Sequence, residues 1–261
     1  NKMSLAQLYL LKTDRIFETS KTMTEEEQAL LQTAMWASEP IPFDPMEVAL
    51  HQSYKEISKN DERHDFKMIH EYPLGGQPPM MTHIFESKSG NRIIAAKGAP
   101  EALMAVAKLS EKEKSDINKA ISTMATEGYR VLAVGSSGFS GKEFPKTQQE
   151  LEFVFLGLVA FYDPPKKNIK KVLEHFYEAG IAVKIITGDN AATTTSIAKQ
   201  VGFRDFEKNI SGDELMKMSE EVLNKAVMEY SIFTRMFPEA KLKIINALKA
   251  NEQIVAMTGD G

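Results

Sequence analysis

The chain has 261 residues, of which 43% are hydrophobic and 26% are charged, and its formal net charge at pH 7 is -4. This composition is typical of a soluble globular protein with one large domain or two modest ones, and no apolar run approaches the ~18 residues that span a bilayer. The absence of cysteine excludes disulfides and thiolate metal sites, and the acidic balance without a long Lys/Arg run gives no sign of a nucleic-acid partner.

Helix-capping patterns mark the first two predicted helices. Thr24 and Glu27 have the spacing of a capping box before an apolar helical face, and Asp44 stands as an N-cap before Pro45 at the first helical position. Glu47, at the third helical position, is compatible with a return contact to the same cap. The local pattern alone therefore does not decide whether Glu47 serves the cap or another site.

Strand patterns occupy much of the remaining first part. The apolar runs 81–86 and 92–96 are separated by a turn-forming segment, which predicts a hairpin. The second run leads into Lys97 and Gly98. A lysine at a strand end beside glycine can meet a phosphate or a purine edge, although such lysines are more often solvated. Helices mixed with hairpin strands predict an α+β fold with an antiparallel sheet.

Strands and helices alternate in the second part of the chain. The long apolar run 153–161 ends in Asp163, and further strands are predicted near Val183 and over 253–257, the last two each followed by Thr-Gly-Asp. Alternation of this kind predicts βαβ units, a parallel sheet and a domain boundary near Asp163. Two such turns would place carboxylates and hydroxyls on the carboxyl edge of the sheet, which suits Mg²⁺ and a phosphoryl group.

Four motifs occur in the order seen in P-type cation-transporting ATPases, and the resemblance covers essentially the whole chain. They are KGAPE at 97–101, DPPK at 163–166, TGDN at 187–190 and TGDG at 258–261. The resemblance implies an α+β nucleotide-binding domain with an antiparallel sheet over 1–162. It also implies, over 163–261, the C-terminal part of a phosphorylation domain with a Rossmannoid, haloacid-dehalogenase-like parallel sheet.

The sequence does not contain DKTGTLT, the motif with the family's phosphorylated aspartate. Residues 1–3 resemble those that follow this motif, and the chain stops before the V-N-D that usually completes TGDG. The resemblance therefore implies an excised cytoplasmic segment of a membrane protein, itself monomeric, which lacks the strand with the phosphorylated aspartate and is inactive alone. The transported cation would bind in membrane helices that this sequence does not contain.

The resemblance also implies roles for individual residues, with ATP and Mg²⁺ as cofactors. The predicted nucleotide contacts are Glu47 at the adenine edge, Lys97 with Gly98 near adenine, Arg130 at the phosphates and Leu132 against the nucleoside. The predicted phosphoryl and metal site comprises Thr187, Gly188, Asp189, Arg235, Lys241 and, as Mg²⁺ ligand, Asp260. Positioned cations of this kind are what phosphoryl transfer requires.

One segment departs from the family pattern. An aromatic ring that stacks on adenine is expected where Leu74 stands, unless Tyr72 substitutes for it, and the basic residues that usually follow are absent. Because stacking on an aromatic ring contributes about 1–3 kcal/mol per base, we expect weak ATP binding.

Two other functions stay open. A soluble haloacid-dehalogenase-type phosphatase with residues 1–162 as its cap would need its own nucleophilic aspartate before D-x-x-x-T, and the sequence has no convincing one. A non-catalytic nucleotide-binding module is the other alternative. Within the P-type family, similarity around 163–166 favours the calcium-pump-like branch.

Overall fold

The computed structural model describes residues 2–19, 22–58, 61–141 and 143–259. The chain divides into two compact units: the first comprises Asn1–Met124 and Tyr129–Pro164, and the second comprises Ala125–Gly128 and Pro165–Gly261. Within the described ranges, no helix has the length and apolar character that a membrane span requires.

The first unit is built on a seven-stranded antiparallel sheet. In chain order its strands are β1 (Ser4–Leu10), β2 (Arg15–Glu18), β3 (Phe66–Gly75), β4 (Met80–Ser87), β5 (Arg92–Gly98), β6 (Arg130–Ser137) and β7 (Phe153–Tyr162). Their spatial order is β2-β1-β7-β6-β5-β4-β3, with every neighbouring pair antiparallel. The predicted α+β fold with an antiparallel sheet is confirmed, and the predicted hairpin is β4–β5.

The sequence of β7 is continuously apolar because both faces of this strand are buried. It lies between β1 and β6 and is covered on both faces. Phe155 and Leu158 contribute to one hydrophobic core, whereas Val159 and Phe161 contribute to the other. A strand buried on both faces shows a continuous apolar run rather than alternation, and here that run belongs to the antiparallel sheet.

Four helices cover the two faces of this sheet. They are α1 (Glu25–Trp36), α2 (Pro45–Ile57), α3 (Pro100–Val106) and α4 (Glu111–Thr126). Leu30 of α1 and Leu50 of α2 pack in the core that contains Phe161, whereas Leu103 of α3 and Ile117 of α4 pack in the core that contains Leu158. The predicted capping box is present at α1, where the Thr24 and Glu27 side chains each accept a hydrogen bond from the other residue's backbone N–H.

The second unit contains a small parallel sheet with helices. Its strands are β8 (Ile185–Ile186), β9 (Asn209–Ser211) and β10 (Ile232–Thr234), in the spatial order β8-β10-β9. Its helices are α5 (Ile169–Glu178), α6 (Ala191–Gln200), α7 (Gly212–Met216), α8 (Glu220–Glu229) and α9 (Pro238–Ala250). Phe233 of β10 and Leu215, Leu223 and Ile244 of the helices form its main core.

The strand predicted over 253–257 does not form, so that prediction is wrong. Residues 253–259 have no assigned secondary structure, and no described strand pairs with them. Ile254 is fully exposed, and only Val255 packs against the core of the second unit. An apolar run becomes a strand only where a neighbouring strand accepts and donates its backbone hydrogen bonds. Of the two Thr-Gly-Asp sequences, only the one at 187–189 follows a strand among the described residues.

Gly98 stands where β5 approaches β4 too closely for a side chain. It lies opposite Met80 of β4 and Ala133 of β6, and a Cβ at this position would be 2.6 Å from the Cα of Met80 and from the carbonyl oxygen of Pro79. The absence of a side chain at Gly98 therefore serves the packing of the sheet.

We predict that Gly98→Ala lowers the free energy of unfolding by about 1–3 kcal/mol, because backbone atoms must move to admit the methyl group. The measurement is urea unfolding followed by circular dichroism. Gly138→Ala is the matched control, since a Cβ at Gly138 would meet nothing within 4 Å, and its effect should stay within about 0.5 kcal/mol. Equal effects of the two substitutions would contradict the close approach.

Candidate functional site

Three of the residues predicted to bind nucleotide lie on one face of the antiparallel sheet. Lys97 is the register partner of Val134 in β6, and Leu132 and Arg130 follow at two-residue intervals along β6. Side chains at such intervals share a face. Leu132 packs against the core formed with α1 and α2, which identifies the face as the one that these helices cover.

The ammonium group of Lys97 is buried against the ends of both helices. Its side chain is only 4% exposed, and Nζ donates to the carbonyl oxygen of Ala37 at 2.8 Å, to Oγ of Ser38 at 3.1 Å and to Oε1 of Glu47 at 2.5 Å. Three acceptors match the three hydrogens of an ammonium group. Ala37 is the C-cap of α1, and the C-terminal end of a helix favours a positive charge.

Two opposing effects act on the pKa of Lys97. Burial lowers the pKa below its usual value, and the hydrogen bond and charge of Glu47 raise it. A buried charge is tolerated when a partner of opposite charge and further hydrogen bonds replace the lost water. Lys97 and Glu47 therefore have to be considered as one buried ion pair.

The contacts of Glu47 answer the question whether its side chain caps its own helix. The N-cap of α2 is Asp44, whose side chain accepts from the backbone N–H of Met46 and of Glu47. The carboxylate of Glu47 does not return to this cap; Oε1 accepts from Lys97 and, at 3.3 Å, from the backbone N–H of Glu39. Oε2 is buried and has no hydrogen-bond partner among the described residues. Such an oxygen lacks the donor that most buried acceptors have.

The aromatic residue considered as a substitute at the adenine position does not lie on this face. Tyr72 is 7% exposed and belongs to the core on the opposite side of the sheet, where its hydroxyl donates to the carbonyl oxygen of Pro145 at 2.6 Å. Leu74 is 65% exposed. Tyr72 is therefore unable to stack on a base held near Lys97, and Leu74 offers an apolar surface without a ring.

The predicted phosphoryl-site residues of the second unit meet in the turns after β8 and β10. The N–H of Thr187 donates to the carbonyl oxygen of Phe233 at 2.9 Å, and the N–H of Asp189 donates to Oγ1 of Thr187 at 3.1 Å. The N–H of Arg235 donates to the carbonyl oxygen of Asp189 at 3.0 Å. Gly188 is exposed within the same turn. Thr187, Gly188, Asp189 and Arg235 are thus brought together by backbone hydrogen bonds.

Of the two remaining predicted residues, only Lys241 lies within the part of the chain that the structure describes. Lys241 is half-buried in the first turn of α9, and within the described ranges no hydrogen bond or ion pair connects its side chain to the other predicted residues. Asp260, the predicted Mg²⁺ ligand, lies outside the described residues.

Sequence reasoning missed Ala37 and Ser38 as partners of Lys97. The one local signal was the helix end before Pro40, which indicates a free carbonyl group but names no partner. Lys97 and Ala37 are 60 residues apart in the chain. Their contact depends on how α1 lies on the sheet.

We predict that Lys97→Met lowers the free energy of unfolding by about 3–5 kcal/mol, because the Glu47 carboxylate would stay buried without its counter-ion. Adding Glu47→Leu should recover most of that loss, since both charges are then absent. Guanidinium unfolding at pH 7 measures both variants.

The control for this pair is Lys108→Met. Lys108 and Glu152 form an exposed ion pair, with side chains 83% and 82% exposed, and its loss should change stability by about 1 kcal/mol or less. If the double variant were as unstable as Lys97→Met, packing rather than the unpaired charge would explain the loss.

The chain is similar to known P-type ATPases over most of its length. Residues 43–168 match the family described as "P-type ATPase, cytoplasmic domain N". Calcium-transporting ATPase 1 of Saccharomyces cerevisiae is 32% identical over 84% of this chain and 25% of the relative, and the calcium-transporting ATPase of Bacillus subtilis is 33% identical over 84% and 26%. The sodium/potassium exporting P-type ATPase cta3 of Schizosaccharomyces pombe is 30% identical over 88% and 24%.

The chain therefore spans about a quarter of the length of these curated relatives, and the matched regions include most of both units. The family match and the relatives lead to the same assignment: the chain belongs to the P-type cation-transporting ATPase family.

Proposed function

We propose that the first unit binds ATP and that the second unit supplies phosphoryl-transfer groups of a P-type cation pump. The observation that carries the proposal is the buried Lys97–Glu47 pair, in which Oε2 of Glu47 is buried without a hydrogen-bond partner among the described residues. Because the chain belongs to a family of ATPases, the exocyclic amine of adenine is the donor that we propose for this oxygen.

The residues around this pair fit a nucleotide. Oε2 of Glu47 would accept from the adenine amine, Leu132 lies on the same sheet face as an apolar contact for the nucleoside, and Arg130 precedes it on that face as the cation for the phosphates. Leu74 replaces an aromatic ring with an aliphatic side chain. Losing a stacking contact of about 1–3 kcal/mol gives weaker ATP binding than an aromatic residue would provide.

The second unit would supply the groups around the transferred phosphoryl. The hydroxyl of Thr187 and the carboxylate of Asp189 lie in a turn at the carboxyl end of β8, where ligands bind in parallel α/β sheets. We propose that its small parallel sheet is part of a haloacid-dehalogenase-like fold. Arg235 and Lys241 would offset negative charge on the phosphoryl oxygens, and Mg²⁺, held by Asp260, would supply further charge neutralisation.

The intact protein would couple ATP hydrolysis to cation transport across a membrane, with this chain on the cytoplasmic side. Two of the relatives carry calcium in their names and one carries sodium and potassium. We propose a calcium-pump-like protein on that basis. Membership of the pump family also favours this function over a soluble phosphatase with a cap.

Base discrimination tests the proposed role of Glu47. ATP should bind more tightly than GTP, because the adenine amine donates to Oε2 whereas the guanine carbonyl oxygen would face it as a second acceptor. We predict that Glu47→Gln reduces the ATP-to-GTP affinity ratio by about tenfold or more, as expected for a hydrogen bond to a charged group. Calorimetric titration of the folded variant measures both affinities.

Glu56→Gln is the matched control for this measurement. Glu56 is an exposed carboxylate in the same helix, α2, and its substitution should leave the ratio unchanged. Equal affinities of the unmodified chain for ATP and GTP, or an unchanged ratio in Glu47→Gln, would refute the proposed contact.

A labelling experiment tests whether this chain can be phosphorylated on its own. Because the sequence contains no DKTGTLT motif, we predict that γ-labelled ATP with Mg²⁺ leaves no hydroxylamine-sensitive label on the chain after acid precipitation. A full-length P-type pump treated in parallel is the positive control. Hydroxylamine-sensitive label on this chain would show that one of its own carboxylates acts as the nucleophile.

A further inference from the structure

Two carboxylates and a buried imidazole converge beside the Lys97–Glu47 pair. Nε2 of His83 lies 3.9 Å from Oε1 of Glu39 and 4.0 Å from Oε1 of Glu71, and the three ligand atoms all lie within 4.8 Å of one another. We call Glu39, Glu71 and His83 the His83 cluster. None of the nucleotide or phosphoryl contacts proposed above uses it.

The cluster is assembled by elements that the first unit holds in place. Glu71 of β3 is the register partner of His83 in β4, so their side chains share one face of the sheet. Glu39 follows the end of α1, whose last turns pack on the same face through Met35 and Trp36. The three side chains are therefore positioned by sheet pairing and by a buried helix, not by a loop alone.

A backbone contact determines which nitrogen of His83 carries a proton. Nδ1 is 3.0 Å from the carbonyl oxygen of Ser38. A carbonyl oxygen only accepts, so Nδ1 must donate. In the neutral ring, Nε2 then carries a lone pair and no hydrogen.

The cluster then presents three acceptors to one another. Nε2 of His83 is buried in a side chain with 0% exposure, and it has no hydrogen-bond partner among the described residues. Its lone pair faces two carboxylates that are also acceptors when ionised. Leaving Nε2 buried without a partner costs free energy, and an electron-pair acceptor between the three groups would remove that cost.

We propose that the His83 cluster binds a divalent transition-metal ion of the Zn²⁺ class, through Nε2 of His83 and one carboxylate oxygen each from Glu39 and Glu71. One imidazole nitrogen with two carboxylate oxygens is a donor set that Zn²⁺ accepts, and water would complete the coordination. The Nδ1–H donated to the Ser38 carbonyl is the support that proteins commonly give to a metal-binding histidine.

The three ligand atoms must move closer together to share one ion. Ligands at the usual bond lengths around tetrahedral Zn²⁺ are about 3.4 Å apart, and the two nitrogen–oxygen distances here are 3.9 and 4.0 Å. The two carboxylate oxygens lie within 4.8 Å of each other. The side chains of Glu39 and Glu71 are 31% and 35% exposed, so both carboxylates can move towards an ion while the buried ring stays fixed. The same exposure gives the ion a route from solvent.

The proposal does not rest on nucleotide binding, although the two sites share a segment. The carbonyl oxygen of Ser38 accepts from His83, and its hydroxyl accepts from Lys97. A metal titration without nucleotide therefore tests the His83 cluster alone, and the ATP-to-GTP ratio tests Glu47 alone.

The experiment is a Co²⁺ titration of the tag-free, chelator-treated chain, followed by visible d–d absorption and then by displacement with Zn²⁺. We expect one equivalent of Co²⁺ to bind and one equivalent of Zn²⁺ to displace it. Glu39→Gln and Glu71→Gln should each weaken binding by about tenfold or more, and His83→Gln should abolish it.

Glu86→Gln is the matched control. Glu86 lies in β4 like His83, its side chain is 32% exposed, and it pairs with Arg92 at 2.6 Å, so its substitution should leave metal affinity unchanged. If His83→Gln fails to fold, Glu39→Gln and Glu71→Gln still test the site, because both substitutions preserve the shape of partly exposed side chains. Circular dichroism verifies that these two variants are folded. No stoichiometric Co²⁺ spectrum, or undiminished affinity in both Glu39→Gln and Glu71→Gln, would overturn the proposal.

Discussion

The first unit depends on one buried positive charge. Lys97 extends from the sheet to the C-terminal end of α1 and to the first turn of α2, and it donates to acceptors from both. An ammonium group removed from water is stable only when acceptors replace its hydration. The placement of two helices on the sheet is therefore linked to one side chain. The carboxylate of Glu47, which we propose as the adenine contact, takes its position from the same link.

The segment after α1 faces two groups with opposite requirements. On one side, Lys97 offers three hydrogens, and Ala37, Ser38 and Glu47 accept all of them. On the other side, the Ser38 carbonyl orients His83 so that a lone pair meets carboxylates. All three donors of Lys97 are satisfied, whereas Oε2 of Glu47 and Nε2 of His83 have no hydrogen-bond partner among the described residues. A nucleotide amine suits the free oxygen of Glu47, whereas a cation suits the His83 cluster.

The second unit organises its polar residues by backbone geometry. The turn after β8 is held to β10 and to the turn that follows it by hydrogen bonds from Thr187 and Arg235. Arg235 has a φ of 51°, a left-handed conformation that non-glycine residues adopt rarely and often at functional sites. Two neighbouring parallel strands thus end at one edge of the sheet in turns that contain Thr187, Asp189 and Arg235.

The sequence by itself determined the features that depend on neighbours a few residues away. The helix starts at Thr24 and Asp44 and the β4–β5 hairpin follow from caps and a turn whose hydrogen bonds are local. Tertiary structure alone decided that Glu47 pairs with Lys97, 50 residues away, and that Tyr72 faces the opposite core. It also decided that 253–257 is not a strand. Ion pairs, sheet faces and strand pairing require partners that only the folded chain brings together, so no local pattern specifies them.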